Sequence, residues 1–270
     1  MGGWGREHAV KQYDAVYVTG ASSGIGAAFA RVLAGRGTRR MLLAGRDAGR
    51  LQALAGELQG RGVQVETLAG DLTHRDALAA LVERVRSAPP DLLVNNAGAG
   101  LYGRFAALPL APQLESIDLN VRALVALSHG YAMATKRRPG ALLLVASTAG
   151  FFPLPYEAVY AATKSFVIQF GEALAEESRG TSLVVRTVCP GFTATEFAAR
   201  AGLPQAVTPR PGAAALAVAE TGLRAFEGSR VTVAHGAAMA LAGGLAGLVP
   251  RAVARRAAGW WMRRGLGPPD

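Results

Sequence analysis

Short runs of apolar, often branched residues alternate along the chain with longer segments in which apolar residues recur every three or four positions. The short runs predict strands over residues 15–19, 41–44, 63–68, 92–95, 141–146, 183–189 and 230–233. The segments between them predict helices over residues 25–36, 47–58, 76–86, 111–135, 158–177 and 212–226. Strands that are apolar along their whole length are typical of a parallel sheet with helices on both faces. The pattern therefore predicts an α/β fold, a doubly wound parallel (Rossmann) sheet of about seven strands.

The order of these elements predicts one folded domain between two terminal segments. Residues 1–12 hold no continuous apolar run and are expected to form a loose leader, whereas residues 13–235 carry the alternating pattern. Residues 236–270 follow the last predicted strand as a basic, helical C-terminal extension. A chain of 270 residues buries enough surface for a single core.

The composition narrows the class of protein. Half of the residues are hydrophobic and 18% are charged, which excludes an intrinsically disordered chain. The single cysteine, Cys189, excludes an internal disulfide framework and is expected to act as a small buried hydrophobe. The histidines are scattered along the chain, so we expect no metal site.

The chain is strongly basic, with a formal net charge of +10. Most of its arginines stand singly or in pairs between apolar runs and form no basic stripe with aromatics, so we expect no nucleic-acid partner. An arginine-rich solvated surface is enough to account for the charge. No apolar run suits a secretory signal or a bilayer span, which predicts a cytoplasmic protein.

The C-terminal extension differs from the rest of the chain in composition. Between residues 250 and 264 it holds five arginines, no acidic residue and the tryptophans Trp260 and Trp261. A basic helix with tryptophans suits peripheral contact with a membrane surface. Packing of this segment on its own domain or on a partner subunit is the alternative.

A glycine-rich segment, TGASSGIG at residues 19–26, follows the first predicted strand and opens the first predicted helix. Gly20 permits the sharp turn out of the strand, Gly24 lets the backbone approach a pyrophosphate, and Gly26 allows close packing of the helix on the sheet. The free N–H groups and the dipole at the start of the helix attract phosphate. The segment therefore predicts a dinucleotide cofactor.

The end of the second predicted strand indicates which dinucleotide this is. An acidic residue that binds the ribose of NAD is expected about twenty residues after the glycines. Here Gly45 holds that position and Arg46 follows it. A guanidinium beside a small residue accommodates the 2′-phosphate of NADP. We predict NADP, with NAD less favoured; a solvated arginine in the turn is the alternative role of Arg46.

A serine, a tyrosine and a lysine supply the candidate chemistry. Ser147 ends the fifth predicted strand, and Tyr160 and Lys164 lie four residues apart on one face of the next helix. At about 4 Å and an effective dielectric of ~20, an ammonium attracts a phenolate by roughly 4 kcal/mol before desolvation. The phenol pKa is therefore expected about two to three units below its ordinary value, which suits a general acid or base. Tyr156 is a rival phenol, but no lysine follows it at this spacing.

Further polar motifs follow the other strands. They are Asp71 and Leu72, the sequence NNAG at residues 95–98, Asn120 in the long helix, and Pro190 with Gly191. The ordered set resembles the classical short-chain dehydrogenase/reductase family over residues 13–235, and the basic extension resembles the tails of hydroxysteroid and ketoacyl reductase members. The resemblance implies an oxidoreductase that interconverts a ketone or aldehyde and its alcohol. A catalytically silent regulatory or scaffold protein of the same fold is the alternative, although the complete set of Asn120, Ser147, Tyr160 and Lys164 argues against it.

The resemblance also implies individual roles. Ser147 donates to the substrate carbonyl, Lys164 holds the nicotinamide ribose, and Asn120 orders a water that relays protons to Lys164. Residues 71–72 contact adenine, and residues 96–98 flank the nicotinamide. After Pro190 and Gly191, the backbone of Thr193 contacts the carboxamide and the hydroxyl of Thr195 contacts the phosphates. The implied cofactor residues are Thr19, Gly20, Ser22, Ser23, Gly24, Ile25, Gly26, Arg46, Asp71, Leu72, Asn96, Ala97, Gly98, Tyr160, Lys164, Pro190, Gly191, Thr193 and Thr195. The family pairs through the helices at residues 111–135 and 158–178, which implies a homodimer or homotetramer.

The segments that surround a substrate in this family are apolar and aromatic here. The candidate substrate-lining residues are Leu101, Tyr102, Phe151, Phe152, Tyr156, Phe192 and Phe197. No arginine stands beside Ser147 or within residues 192–197 to bind a carboxylate. We predict a hydrophobic ketone or aldehyde as substrate. The alternative is that several of these aromatics belong to the ordinary core.

Overall fold

A computed structural model of the protein describes residues 12–203, 213–236, 241, 244 and 249–265. Within them, seven strands form one sheet of order β3-β2-β1-β4-β5-β6-β7, and all neighbouring pairs are parallel. The strands are β1 Ala15–Thr19, β2 Arg40–Gly45, β3 Gln64–Ala69, β4 Leu92–Asn95, β5 Gly140–Val145, β6 Leu183–Cys189 and β7 Thr232–Ala234. The predicted doubly wound sheet is confirmed. The predicted leader lies outside the described residues except for Gln12.

The helices lie close to their predicted positions. They are α1 Gly24–Gly35, α2 Ala48–Gln59, α3 Arg75–Ser87, α4 Leu110–Ile117, α5 Leu124–Ala134, α6 Ala158–Glu177, α7 Glu196–Arg200, α8 Ala213–Arg224 and α9 Arg251–Gly265. The helix expected over residues 111–135 is interrupted, because a π-helical turn at Asp118–Ala123 joins α4 to α5. A 3₁₀ turn at Thr148–Phe151 and the short α7 are too brief for a periodic pattern to predict. The predicted start of α8, Gly212, lies outside the described residues.

Two apolar layers cover the sheet, and alternate residues of each strand enter opposite layers. In β1, Val16 and Val18 pack with α1, α2 and α8, whereas Tyr17 faces α3, α5 and α6 on the other side. Most of the central strand residues are buried on both faces, which explains their continuous apolar character. Cys189 is fully buried in the second layer, in agreement with its predicted role as a small hydrophobe.

The sheet order creates a crevice at one edge. β1 is flanked by β2 on one side and by β4 on the other, so the connections leaving these two strands run in opposite directions. In open parallel sheets, ligands bind outside the carboxyl ends of the strands at such a switch point. The glycine-rich turn after β1 and the NNAG sequence after β4 both lie at this point.

Helix α9 packs on its own domain. Met262 is fully buried in a small cluster with Tyr102, Ala198, Ala201 and Leu203. Of the three roles considered for the basic extension, this contact supports packing on the same chain. None of the described helices combines the length and the apolar character needed to cross a membrane.

Candidate active site

A cavity of about 990 Å³ opens at the carboxyl ends of the strands and extends from the glycine-rich turn to α9. Most of the residues expected in the site line it. They are Gly20, Ser22, Ser23, Gly24, Ile25, Arg46, Asp71, Leu72, Asn96, Ala97, Gly98, Leu101, Ser147, Phe152, Tyr160, Lys164, Pro190, Gly191, Phe192, Thr193, Thr195 and Phe197. The expected residues that do not line it are Thr19, Gly26, Asn120, Tyr102, Phe151 and Tyr156.

The glycine-rich turn has the geometry of an anion site. Gly20 and Gly24 have positive φ angles of 65° and 55°, a conformation that other residues adopt at a cost. Gly26 meets a close approach, since a Cβ there would lie 2.2 Å from the carbonyl oxygen of Gly20. No side chain caps the start of α1 and no acidic residue stands in its first turn. The N-terminus of α1 is therefore open to a phosphate.

Thr19 and Asn96 form a clasp across the switch point between β1 and β4. The Thr19 hydroxyl accepts hydrogen bonds from the backbone N–H groups of Asn96 and Ala97, both at 2.9 Å. The Asn96 amide donates to the Thr19 carbonyl at 2.8 Å. Thr19 is 1% exposed and its side chain braces the turn, whereas its expected contact with a cofactor stays a prediction.

Arg46 and Asp71 face each other at the cofactor end of the cavity. A guanidinium nitrogen of Arg46 lies 3.7 Å from a carboxylate oxygen of Asp71. Burial opposes ionisation of Asp71, but hydrogen bonds from Thr73 and the charge of Arg46 hold its pKa below the ordinary range. The Arg46 side chain is largely exposed, so it is free to turn toward a phosphate group.

Ser147, Tyr160 and Lys164 meet in the wall of the cavity. β5 ends just before Ser147, and α6 carries Tyr160 and Lys164 one turn apart. The Lys164 ammonium lies 5.8 Å from the centre of the Tyr160 ring and donates to the Val145 carbonyl at 3.0 Å. The Ser147 hydroxyl interacts with the Tyr160 phenol and also caps the 3₁₀ turn by accepting from Ala149 N–H at 3.1 Å.

The expected lowering of the Tyr160 pKa is wrong for this structure. Burial raises the pKa of Tyr160 well above its ordinary value, the Ser147 hydroxyl opposes that rise, and the charge of Glu157 adds to it. Burial also lowers the pKa of Lys164 to about 8, a shift that the nearby Cys189 thiol opposes. Helical spacing predicted that the two groups are neighbours, but their depth decides the direction of the shift. Tyr160 therefore holds its proton at neutral pH.

Asn120 lies behind the cavity in the π-helical turn. Its side-chain oxygen accepts from the Ala99 N–H at 2.9 Å, and its amide donates to the Ala99 carbonyl at 2.8 Å and to the Thr163 hydroxyl at 2.9 Å. A Cβ on Gly98 would stand 3.1 Å from both the Asn120 oxygen and the Lys164 nitrogen. Glycine at 98 thus leaves a small space between these two polar atoms, and Asn120 ties α6 to the loop after β4.

Three of the aromatics expected around a substrate lie elsewhere. Tyr102 and Tyr156 pack edge to face, with ring centres 6.1 Å apart, in the cluster that holds Met262. Phe151 belongs to the apolar layer beside α6. These three do not line the cavity, whereas Phe197 does, with its ring centre 5.2 Å from that of Tyr160.

Helix α9 supplies a wall that the sequence did not assign to the site. Its cavity face includes Val253, Ala257 and Trp261, and the Trp261 ring lies 6.2 Å from that of Phe192. The amphipathic composition of the extension signalled an apolar face, but a local pattern does not show what that face covers. Helix α9 therefore adds apolar side chains to the cavity wall, which also includes the charged residues Glu115, Glu157 and Arg200.

Glu157 is a second site residue that sequence reasoning missed. It precedes α6 directly, three residues before Tyr160, and lines the cavity while only 6% exposed. Burial raises the pKa of its carboxyl to about 7. An acid at a helix start is ordinarily solvated, so only the tertiary packing identifies this one as buried.

The raised pKa of Glu157 predicts a pH-dependent stability. Between its unfolded value of 4.5 and about 7, the folded protein binds the extra proton, so the free energy of unfolding falls as pH rises through this window. The full shift corresponds to about 3 kcal/mol. Chemical denaturation at pH 5 and pH 8 is expected to show Glu157→Gln gaining stability relative to the unmodified protein at the higher pH. Glu115→Gln, at an exposed carboxylate, is the control; equal pH slopes for the protein and Glu157→Gln would contradict the assignment.

A sequence model of the family described as short chain dehydrogenase matches residues 14–205. A relative from Myxococcus xanthus (strain DK1622), named an uncharacterized oxidoreductase, is 39% identical over 202 residues, which cover 73% of this chain and 78% of that protein.

Two solved structures resemble the whole described fold. A short-chain dehydrogenase from Sphingobium yanoikuyae in complex with NADPH is 35% identical, with a TM-score of 0.78, and the match covers 87% of this chain and 94% of that one. The bulky-bulky ketone specific alcohol dehydrogenase from Comamonas testosteroni is 25% identical, with a TM-score of 0.73, and the match covers 90% and 97% of the two chains.

Proposed function

The chain belongs to the short-chain dehydrogenase family, whose members are nicotinamide-dependent oxidoreductases of alcohols and ketones, and from this premise we propose that it is an NADPH-dependent reductase of hydrophobic ketones or aldehydes. The observation that carries the proposal is the meeting of Ser147, Tyr160 and Lys164 in one cavity that begins at an open helix N-terminus. Each proposed role follows from the surroundings of the side chain.

Tyr160 is the proton donor. Its raised pKa keeps the phenol protonated at neutral pH, which is the state that reduction of a carbonyl requires. The Ser147 hydroxyl, beside the phenol, donates to the same carbonyl oxygen and stabilises charge that develops on it. Lys164, one turn from Tyr160, holds the ribose side of the cofactor, and Asn120 fixes α6 against the loop after β4. When bound, the nicotinamide supplies the hydride.

The residues present fit a dinucleotide. The left-handed glycines leave a cradle at the uncapped start of α1, and the space beside Gly98 would be filled by any larger side chain. Gly45 and Arg46 at the end of β2 favour NADP over NAD. The NADPH complex of the Sphingobium relative supports the same preference.

The walls near Tyr160 favour a hydrophobic substrate. Leu101, Phe152, Phe192, Phe197 and Trp261 line the cavity, and Phe197 contacts the Tyr160 ring. The test is a panel of hydrophobic ketones and aldehydes with NADPH and with NADH, followed at the nicotinamide absorbance. Turnover with NADPH is expected; a panel that yields none with either cofactor would overturn the proposal.

Two exposed apolar surfaces support the proposed homodimer or homotetramer. Leu114 and Ile117 on α4 and Phe166 on α6 are exposed, and Phe166 stacks on Phe170 with 5.7 Å between ring centres. These helices lie in the ranges expected to pair. Sedimentation velocity that shows only a monomer at micromolar concentration would contradict the proposed homodimer or homotetramer.

Peripheral contact with a membrane through residues 250–264 stays a prediction. Met262 anchors α9 to its own domain, while Trp260 remains exposed with Arg264 stacked 4.7 Å from its ring centre. Co-sedimentation with anionic liposomes measures whether this outer face binds lipid.

A further inference from the structure

Three carboxylates line the described part of the cavity, and each has different surroundings. Asp71 accepts hydrogen bonds from Thr73 and lies near Arg46. Glu115 is exposed and solvated. Glu157 is buried, and among the described residues its side chain has no hydrogen bond and no ion pair. A buried carboxylate without a donor is uncommon, because burial removes the water that would otherwise serve it.

Glu157 lines the cavity, and its carboxyl oxygens are not fully sealed from solvent. Among the described side chains, the polar atom that is both sealed from solvent and unpartnered is the hydroxyl of Thr187, in another part of the fold. Glu157 lies at the start of α6, and its charge acts on the phenols of Tyr160 and Tyr102. The unpartnered acceptor therefore lies in the cavity wall, close enough to Tyr160 for its charge to act on that phenol.

We propose that Glu157 accepts a hydrogen bond from the substrate, so that the preferred substrate is a hydrophobic ketone that carries one hydroxyl or protonated amine near its carbonyl. This inference rests on the proposed function and narrows its substrate class. A wholly apolar ketone would separate the carboxyl from water and offer no donor in return. A donor group supplies that partner, and a site of this kind discriminates strongly against analogues that lack it.

The test uses three ketones of nearly equal shape. They are 4-methylcyclohexanone, which has no donor, 4-hydroxycyclohexanone, which has a neutral donor, and 1-methylpiperidin-4-one, which has a cationic donor when protonated. With the unmodified protein and NADPH, kcat/KM is expected to be at least tenfold higher for one or both donor-bearing ketones than for the methyl compound. Dividing each kcat/KM by the value for 4-methylcyclohexanone cancels any general loss of activity. The donor group that gives the higher ratio identifies the substrate class.

Variants at Glu157 and Glu115 distinguish recognition of the donor group by Glu157 from a general effect of removing a carboxylate from the cavity. Glu157→Leu is expected to lower the selectivity ratio at least tenfold, because the acceptor is removed. Glu157→Gln keeps an acceptor oxygen without a charge, so a preference for the hydroxyl persists while a preference for the amine is lost. Glu115→Gln, which removes a carboxylate from the same cavity at an exposed position, is expected to keep the original ratio.

Calorimetry with the NADPH-bound protein is expected to give the same order of affinity for the three ketones, independently of turnover. The inference is overturned, while the proposed ketone reduction stands, if the selectivity ratio of the unmodified protein is near one. It is also overturned if Glu157→Leu has the same selectivity ratio as the unmodified protein. If no ketone is reduced but the donor-bearing ones bind more tightly and Glu157→Leu abolishes that order, the inference stands and the proposed function fails.

Discussion

Tyr160→Phe is expected to lower kcat by about 10²–10⁴-fold, the contribution typical of a positioned general acid. Phenylalanine keeps the ring that packs 5.2 Å from Phe197 but has no proton to give. Because the phenol is protonated at neutral pH, its loss removes the donor in the state that reduction uses. Steady-state kinetics with NADPH and an accepted ketone measure the effect, and fluorescence titration should show a cofactor Kd close to that of the unmodified protein.

The matched control is Tyr156→Phe. Tyr156 lies four residues earlier, packs against Tyr102 and does not line the cavity. We expect its kcat to remain within a few-fold of the unmodified value. Comparable losses in both variants, or an active Tyr160→Phe, would reassign the proton donor.

Arg46→Ala is expected to weaken NADPH binding by roughly 10–100-fold and to leave NADH binding nearly unchanged. A hydrogen bond to a charged group contributes about 1.5–3 kcal/mol, and each ~1.4 kcal/mol is tenfold in Kd. Removing Arg46 also leaves Asp71 without the cation 3.7 Å away, which adds repulsion toward a 2′-phosphate. Titration of both cofactors at fixed salt measures the two dissociation constants.

Arg50→Ala controls for the loss of a positive charge in the same region. Arg50 is ion-paired with Asp47 and Glu196 and does not line the cavity. Its removal should affect both cofactors equally and slightly. If Arg46→Ala lowers NADH and NADPH affinity by the same factor, the guanidinium does not recognise the 2′-phosphate.

The positions of the strands and helices could be predicted because each buried element is a continuous apolar run or a periodic apolar pattern in the sequence. The predicted bounds of β1, β4, β6 and α6 agree with the structure, since each is an apolar or periodic segment with a clear end. The π-helical turn could not be predicted, because the apolar positions on either side of Asn120 keep an ordinary helical period. Motif order likewise identified Ser147, Tyr160 and Lys164, which the fold brings together.

The remaining features depend on depth and on contacts distant in sequence. The direction of the Tyr160 pKa shift is set by burial, which residue spacing does not reveal. Thr19 is a polar residue at a strand end and resembles a ligand contact, but its partner Asn96 is 77 residues away. Glu157 and the cavity face of α9 belong to the site only through tertiary packing, so neither has a local signature.

The clasp between Thr19 and Asn96 has a consequence for the thermodynamics of ligand capture. Its hydrogen bonds at 2.8 and 2.9 Å join the last residue of β1 to the start of the loop that follows β4, on the two sides of the crevice. The conformational entropy of the chain at this point is therefore lost on folding, which leaves less to be lost when a ligand binds. The crevice is preorganised, so a dinucleotide meets a rigid receptor whose affinity reflects contacts made and water released.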